Sequence, residues 1–90
     1  MNDAVSTLPV RLMLVDDHPL VRDGLRARLG AVAHLEVIGE ASNGHEALLC
    51  AAELHPDVML VDIGMKEMNG LELTERLSQA HPAIRVLILS

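Results

Sequence analysis

Four short apolar runs alternating with three helix-spaced segments predict an α/β domain, in which a parallel sheet with right-handed crossovers carries helices on both faces. Two further observations frame that prediction. The runs at 10–15 and 57–61 each lead into carboxylates, Asp16-Asp17 and Asp62, and ninety residues hold one small domain at most. In a parallel sheet all strands point their C-terminal ends at the same rim, where open sheets of this class bind ligands.

Residues 1–9 are polar up to Pro9 and read as a flexible leader. Val10 to Val15, interrupted by Arg11, is the first strand. Asp17-His18-Pro19 starts a helix, with a capping side chain and a proline near the first helical position. Val21, Leu25, Leu29 and Val32 follow at helical spacing, Arg22, Arg26 and Arg28 lie mostly opposite, and Gly30 weakens the last turn. Leu35 to Ala41, rich in β-branched residues but only partly alternating, is the second strand.

Asn43-Gly44-His45-Glu46 has the form of a capping box and predicts a helix through Leu54. Asp57 to Val61 is the third strand, a continuous apolar run of the kind buried on both faces, set off by Pro56. Asn69-Gly70-Leu71-Glu72 repeats the capping pattern. Leu73, Leu77 and Ala80 give the third helix its stripe, and His81-Pro82 ends it. Ile84 to Leu89 is the fourth strand, ahead of Ser90.

Half of the residues are apolar, yet Phe, Tyr and Trp are absent, so the core is built from Leu, Val, Ile, Ala and Met. The formal charge of −6, from 13 acidic against 7 basic residues, argues against this segment holding DNA or anionic lipid by itself. Cys50 is the one cysteine, so no internal disulfide forms; with Ala47, Leu48, Ala51 and Ala52 around it, it reads as core packing in a reducing compartment. Met1 to Leu8 lacks the pattern of a signal peptide, and no apolar stretch approaches the roughly 20 residues that span a bilayer. A cytoplasmic location is expected.

If the first and third strands are neighbours, Asp16, Asp17 and Asp62 converge on one crevice with the Ser90 hydroxyl beside them. A single acid after a strand commonly caps a helix or sits in a solvated turn; three after alternate strands point to a site. Clustered carboxylates repel unless a cation is present, and a hard ion with oxygen ligands, Mg²⁺, suits this set together with the Gly64 carbonyl. Asp62, alone at its strand end, is the candidate nucleophile toward phosphorus, forming an acyl phosphate while the metal shares charge on the transferring oxygens. His18 reads as a helix-start residue beside the acids. His34, His45, His55 and His81 share no metal-ligand spacing and read as surface residues, and Met65 and Met68 as packing against the loop after Asp62. No glycine-rich phosphate loop, Cys/His zinc pattern or Ser-His-Asp set is visible.

Leu14-Val15-Asp16-Asp17-His18-Pro19-Leu20-Val21-Arg22-Asp23-Gly24-Leu25 resembles the opening motif of bacterial response-regulator receiver domains of the NarL/FixJ (LuxR) type. Asp57-Val58-Met59-Leu60-Val61-Asp62-Ile63-Gly64-Met65, with Met68-Asn69-Gly70-Leu71-Glu72-Leu73, resembles their phosphoacceptor segment, and Val86-Leu87-Ile88-Leu89-Ser90 their fourth strand. The resemblance implies a flavodoxin-like sheet in the order 2-1-3-4 over residues 10–90, a partial receiver lacking the fifth strand and last two helices. It further implies a two-component signalling module rather than an enzyme, in which Asp62 accepts a phosphoryl group from a sensor histidine kinase. Asp17 would bind Mg²⁺ directly and Asp16 mainly through a water, with Asp62 and the Gly64 carbonyl as further ligands and Ser90 as the switch hydroxyl. Output would be control of transcription through a C-terminal DNA-binding domain outside this chain.

Two departures stand out. Lys66 occupies a position where the family usually has proline, and the family's phosphoryl-pairing lysine, at the start of a fifth strand, falls outside the ninety residues. An uncovered fourth strand is expected to pair with a second copy, as a homodimer or by strand exchange. Two rival readings remain: a receiver-like interaction module that is not phosphorylated, and a Mg²⁺-dependent aspartyl phosphotransferase of the haloacid dehalogenase type. The latter normally has a second aspartate two residues on, where this chain has Gly64.

Overall fold

A computed structural model describes residues 8–89. Most of the expected leader and Ser90 therefore lie outside the described residues. The elements are β1 (Val10–Val15), α1 (Pro19–Leu29), β2 (Leu35–Ala41), α2 (Gly44–Leu54), β3 (Val58–Asp62), α3 (Gly70–Ala80) and β4 (Arg85–Leu89). The four strands form one parallel sheet in the order β2-β1-β3-β4, the topology expected. No helix among the described residues is long and apolar enough to cross a membrane.

Alternation along the strands sends two apolar sets to opposite faces. Met13, Val15, Met59 and Val61 join Ala47 and Ala51 of α2 and Leu73 and Leu77 of α3 in the main core, which Met65 and Met68 complete from the loop after β3. On the other face Leu12 and Leu14 are buried, whereas Leu35, Val58, Leu60 and Leu87 line an apolar hollow of about 270 Å³ with Leu29 of α1. Helix α1 covers that face only in part: none of its residues is fully buried, and Val21 and Val32 are exposed despite their helical spacing. Ala80, placed on the apolar stripe of α3, is exposed as well. Both departures follow from position, since periodicity marks which side of a helix is apolar but not whether anything lies against it.

The helix starts depart from expectation in their details. At α1 the N-cap is His18, which makes no side-chain cap bond; Pro19 sits in the first turn, and the Asp16 carboxylate accepts the His18 N–H at 2.8 Å. Asn43 and Asn69 cap α2 and α3 as the sequence suggests, accepting from Glu46 N at 2.8 Å and Glu72 N at 2.9 Å. The reciprocal half of the box is not formed at either cap: Glu46 accepts from Ser42 N, one residue before the cap, and Glu72 pairs with Arg76. Beside β1, β2 carries a bulge, for Leu12 faces Val37 while Met13 faces Gly39. An added Cβ at Gly39 would stand 2.8 Å from Leu54 of α2, so glycine lets helix and strand close up there.

Arg11, the interruption in the first apolar run, fastens the far rim. Its guanidinium donates to the carbonyls of Leu54 and His55 at 2.7 Å each, satisfying the end of α2 where His55 turns left-handed at φ 49°. Its main-chain N–H donates to the Asp57 carboxylate at 2.9 Å, and the Asp57 carbonyl accepts from Arg85 N at 3.0 Å, so three strand starts are tied together. Arg11→Met keeps the aliphatic stem and removes the donors. Its expected cost is about 1–2 kcal/mol, read from urea unfolding by far-UV circular dichroism, because the chain has no aromatic fluorophore.

Glu40, near the end of β2, accepts from Arg22 Nε at 3.0 Å and pairs with Arg26 of the same helix. The Arg26 hydrogen bond, supported by Arg22, holds its carboxyl below the usual value of 4.5 against the opposing effect of burial. A lowered folded-state value stabilises fully above the unfolded value and is lost as pH falls through the folded one. Glu40→Gln therefore lowers stability at pH 7 by at most about 1 kcal/mol after solvent screening. In urea titrations at stepped pH the two proteins converge below that usual carboxylate value.

Candidate functional site

The site is made by the register of two adjacent strands. β1 and β3 pair in parallel with Val15 opposite Val61, so the residues that follow, Asp16 and Asp62, leave the sheet side by side. Asp16 is buried, while the carboxylates of Asp17 and Asp62 are about three-quarters covered at 24% and 22% exposure. Asp16, Asp17, Asp62 and His18 each present one ligand atom, and these atoms all lie within 4.8 Å of one another. The structure thus brings together the three acids that the sequence singles out.

Each acid is held differently. Asp16 is anchored through its backbone: its N–H donates to Ala41 O at 3.1 Å, and its carbonyl accepts from the Arg22 guanidinium. Asp62 is oriented by the Gly64 N–H, which donates to Oδ1 at 3.0 Å. Asp17 Oδ1 is buried without accepting a hydrogen bond. Among the described residues the one ion-pair partner of these acids is His18. Its hydrogen bond to Asp16, then the charge of Asp17, raises the imidazole above its ordinary value, with Asp62 adding to the effect.

An orphaned buried carboxylate oxygen among three acids is the donor set of a hard divalent cation, and Mg²⁺ fits it. At Gly64 an added Cβ would meet only Asp62 Oδ1, at an ordinary 3.7 Å, so glycine is not sterically required there. Lys66 is exposed and, with Asp17, lines a hollow of about 170 Å³ beside the acids. The Ser90 hydroxyl belongs to a residue outside the described set. Cys50 is half-buried against the core, and burial pushes its thiol up, consistent with packing. His34, His45 and His55 are exposed as expected, whereas His81 is half-buried, its ring 6.5 Å from that of His55.

Sequence reasoning passed over two positioning contacts. Gly70 opens α3 directly beneath the end of β3: a Cβ there would stand 2.9 Å from Ile63 Cα and 3.0 Å from the Asp62 carbonyl oxygen. Gly44 does the same at α2, where a Cβ would stand 2.6 Å from Met68. In the sequence both glycines stand only as parts of capping boxes. The signal available in the sequence was their repeated Asn-Gly context, which does not reveal what lies opposite.

A protein-family model described as the response regulator receiver domain matches residues 12–90. Among curated proteins, the response regulator GacA of Pseudomonas viridiflava is 43% identical over 81 residues, covering 90% of this chain and 38% of its own length. The transcriptional regulatory protein LiaR of Bacillus subtilis matches with the same identity and coverage. The chain thus spans 38% of the length of these relatives. Among solved structures, the signal receiver domain of NarL from Mycobacterium tuberculosis aligns with a TM-score of 0.84 at 34% identity, over 90% of this chain and 65% of that one. A LuxR-family two-component response regulator from Aurantimonas gives 0.85 at 36% identity, over 89% of this chain and 57% of that one.

Gly70→Ala must displace the backbone that carries Asp62, and is expected to destabilise the fold by about 1–3 kcal/mol. Gly24→Ala is the control, because its Cβ meets nothing within 4 Å inside an exposed helix. There the change is expected to stabilise by about 0.5–1 kcal/mol. Urea midpoints for the two variants measured in parallel check the opposite signs.

Proposed function

The chain belongs to the response regulator receiver domain family, and from that premise we propose that it is a phosphoacceptor whose Asp62 takes a phosphoryl group from the phosphohistidine of a sensor kinase. The observation that carries the reading is the convergence of Asp16, Asp17 and Asp62 at the ends of adjacent parallel strands. An Asp62 carboxylate oxygen attacks phosphorus; the O–P bond forms as the N–P bond breaks, and the electron pair leaves with the donor imidazole. The Gly64 N–H orients the attacking carboxylate by one oxygen. Asp17 would hold Mg²⁺ directly and Asp16 mainly through a water, with Asp62 and the Gly64 carbonyl as further ligands. When bound, the ion shares the charge that develops on the transferring oxygens.

In this reading Ser90 supplies the hydroxyl that turns toward the phosphoryl group. The whole protein carries the signal to DNA through a C-terminal domain, in keeping with relatives named as transcriptional regulators. The reaction takes place in the cytoplasm. Pairing of two copies through the β4 edge of this polypeptide belongs to the same proposal and is supported by the exposure of Leu87 and Leu89 there.

Incubation with Mg²⁺ and acetyl phosphate is expected to add the mass of one phosphoryl group to the wild type and none to Asp62→Asn. Beryllofluoride with Mg²⁺ should shift the amide resonances around residue 62 in the wild type alone. A wild-type protein that stays unmodified and unshifted overturns the phosphoacceptor reading and leaves a receiver-like binding module.

A further inference from the structure

The ladder that sets the register of β1 stops one residue short of the acids. Its last paired position is Val15, opposite Ala41 of β2 and Val61 of β3. The peptide joining Asp16 to Asp17, from which the second acid springs, therefore lies beyond the paired strands.

Two contacts tie this segment back to the end of β2. The Asp16 N–H donates to the Ala41 carbonyl at 3.1 Å. The Asp16 carbonyl accepts from the Arg22 guanidinium, whose Nε donates to Glu40 Oε1 at 3.0 Å. Arg22 thus bridges the ends of β1 and β2 from the first turn of α1. A guanidinium can do this because its donors point in several fixed directions from one plane, which a single ammonium does not match. The Arg22 side chain is largely covered, at 17% exposure, whereas Arg26, which also pairs with Glu40, is 47% exposed.

We propose that Arg22 is a positioning residue of the acid site: by clamping the Asp16 carbonyl to Glu40 it fixes the peptide between Asp16 and Asp17, and with it the placing of both carboxylates against Asp62. The inference rests on the metal-site reading of the three acids and adds to it a residue outside the crevice that sets their geometry. Clamping and charge act on Mg²⁺ binding with opposite signs. Arg22→Met removes a cation near three acids, which by charge alone tightens the binding of a divalent ion; loss of the clamp weakens it.

Mg²⁺ titration of the ¹⁵N-labelled 90-residue chain, followed by amide shifts, tests this with wild type, Arg22→Met and Arg26→Met. Both variants lose one positive charge and one partner of Glu40, but only Arg22 touches Asp16. Mg²⁺ affinity is expected to fall roughly tenfold in Arg22→Met and to stay close to wild type in Arg26→Met. In chelator the Asp17 amide, bonded to the clamped carbonyl, should move in Arg22→Met and hold its place in Arg26→Met. Urea midpoints establish that each variant is folded during the titration; if Arg22→Met is not, Arg22→Lys, which keeps the charge and lacks the planar fork, carries the same expectation. An Arg22 variant that binds Mg²⁺ as tightly as wild type or more tightly overturns the inference and leaves the metal site standing. Equal weakening in the Arg22 and Arg26 variants also overturns it, because the pairing with Glu40 would then suffice to explain the loss. If the wild type binds no Mg²⁺, this inference and the metal-site reading fall together.

Discussion

The pairing of β1 with β3 is the constraint on which the site depends. With Val15 held opposite Val61, both strands run out of apolar residues at the same level and release Asp16, Asp17 and Asp62 into one crevice. A slip of one residue would turn Met13, Val15, Met59 and Val61 away from α2 and α3, so the core that stabilises the sheet also sets the spacing of the acids. Gly70 adds to this by letting α3 close against the Asp62–Ile63 backbone.

The arrangement leaves negative charge with little local compensation. Arg22 reaches the loop but donates to the Asp16 carbonyl and to Glu40, and Arg26 also goes to Glu40. His18 is the one cationic side chain paired with the acids among the described residues. Three carboxylates gathered at one rim, with one buried oxygen that accepts no hydrogen bond and with Arg22 and Arg26 directed elsewhere, are a donor set that a hard divalent ion fits.

The fold class and first two strand ranges could be read from the sequence because parallel strands announce themselves as apolar runs bounded by turn residues, whereas the strand order came from the resemblance to receiver domains. The third and fourth strands began one residue later than expected, at Val58 and Arg85, where main-chain pairing rather than hydropathy sets the boundary. Asp16, Asp17 and Asp62 were legible because strand ends map to one rim. The reach of Arg11 across 43 residues to Leu54, the close approach of Gly44 to Met68 and the bulge opposite Leu12 were not, since each depends on what a distant segment places opposite. The position of His18 was only half visible: the sequence puts it next to the acids, and the structure pairs its ring with Asp16 and Asp17.

The central claim is that the three acids form a cation site whose repulsion the ion relieves. Thermal unfolding with and without millimolar Mg²⁺, for wild type and Asp17→Asn, tests it most directly. Binding to the folded state alone raises the wild-type midpoint with Mg²⁺ concentration, while neutralising Asp17 raises the midpoint in chelator and removes the response to Mg²⁺. A wild-type midpoint that does not move with Mg²⁺, or an Asp17→Asn midpoint that rises with it as the wild type does, would contradict the account.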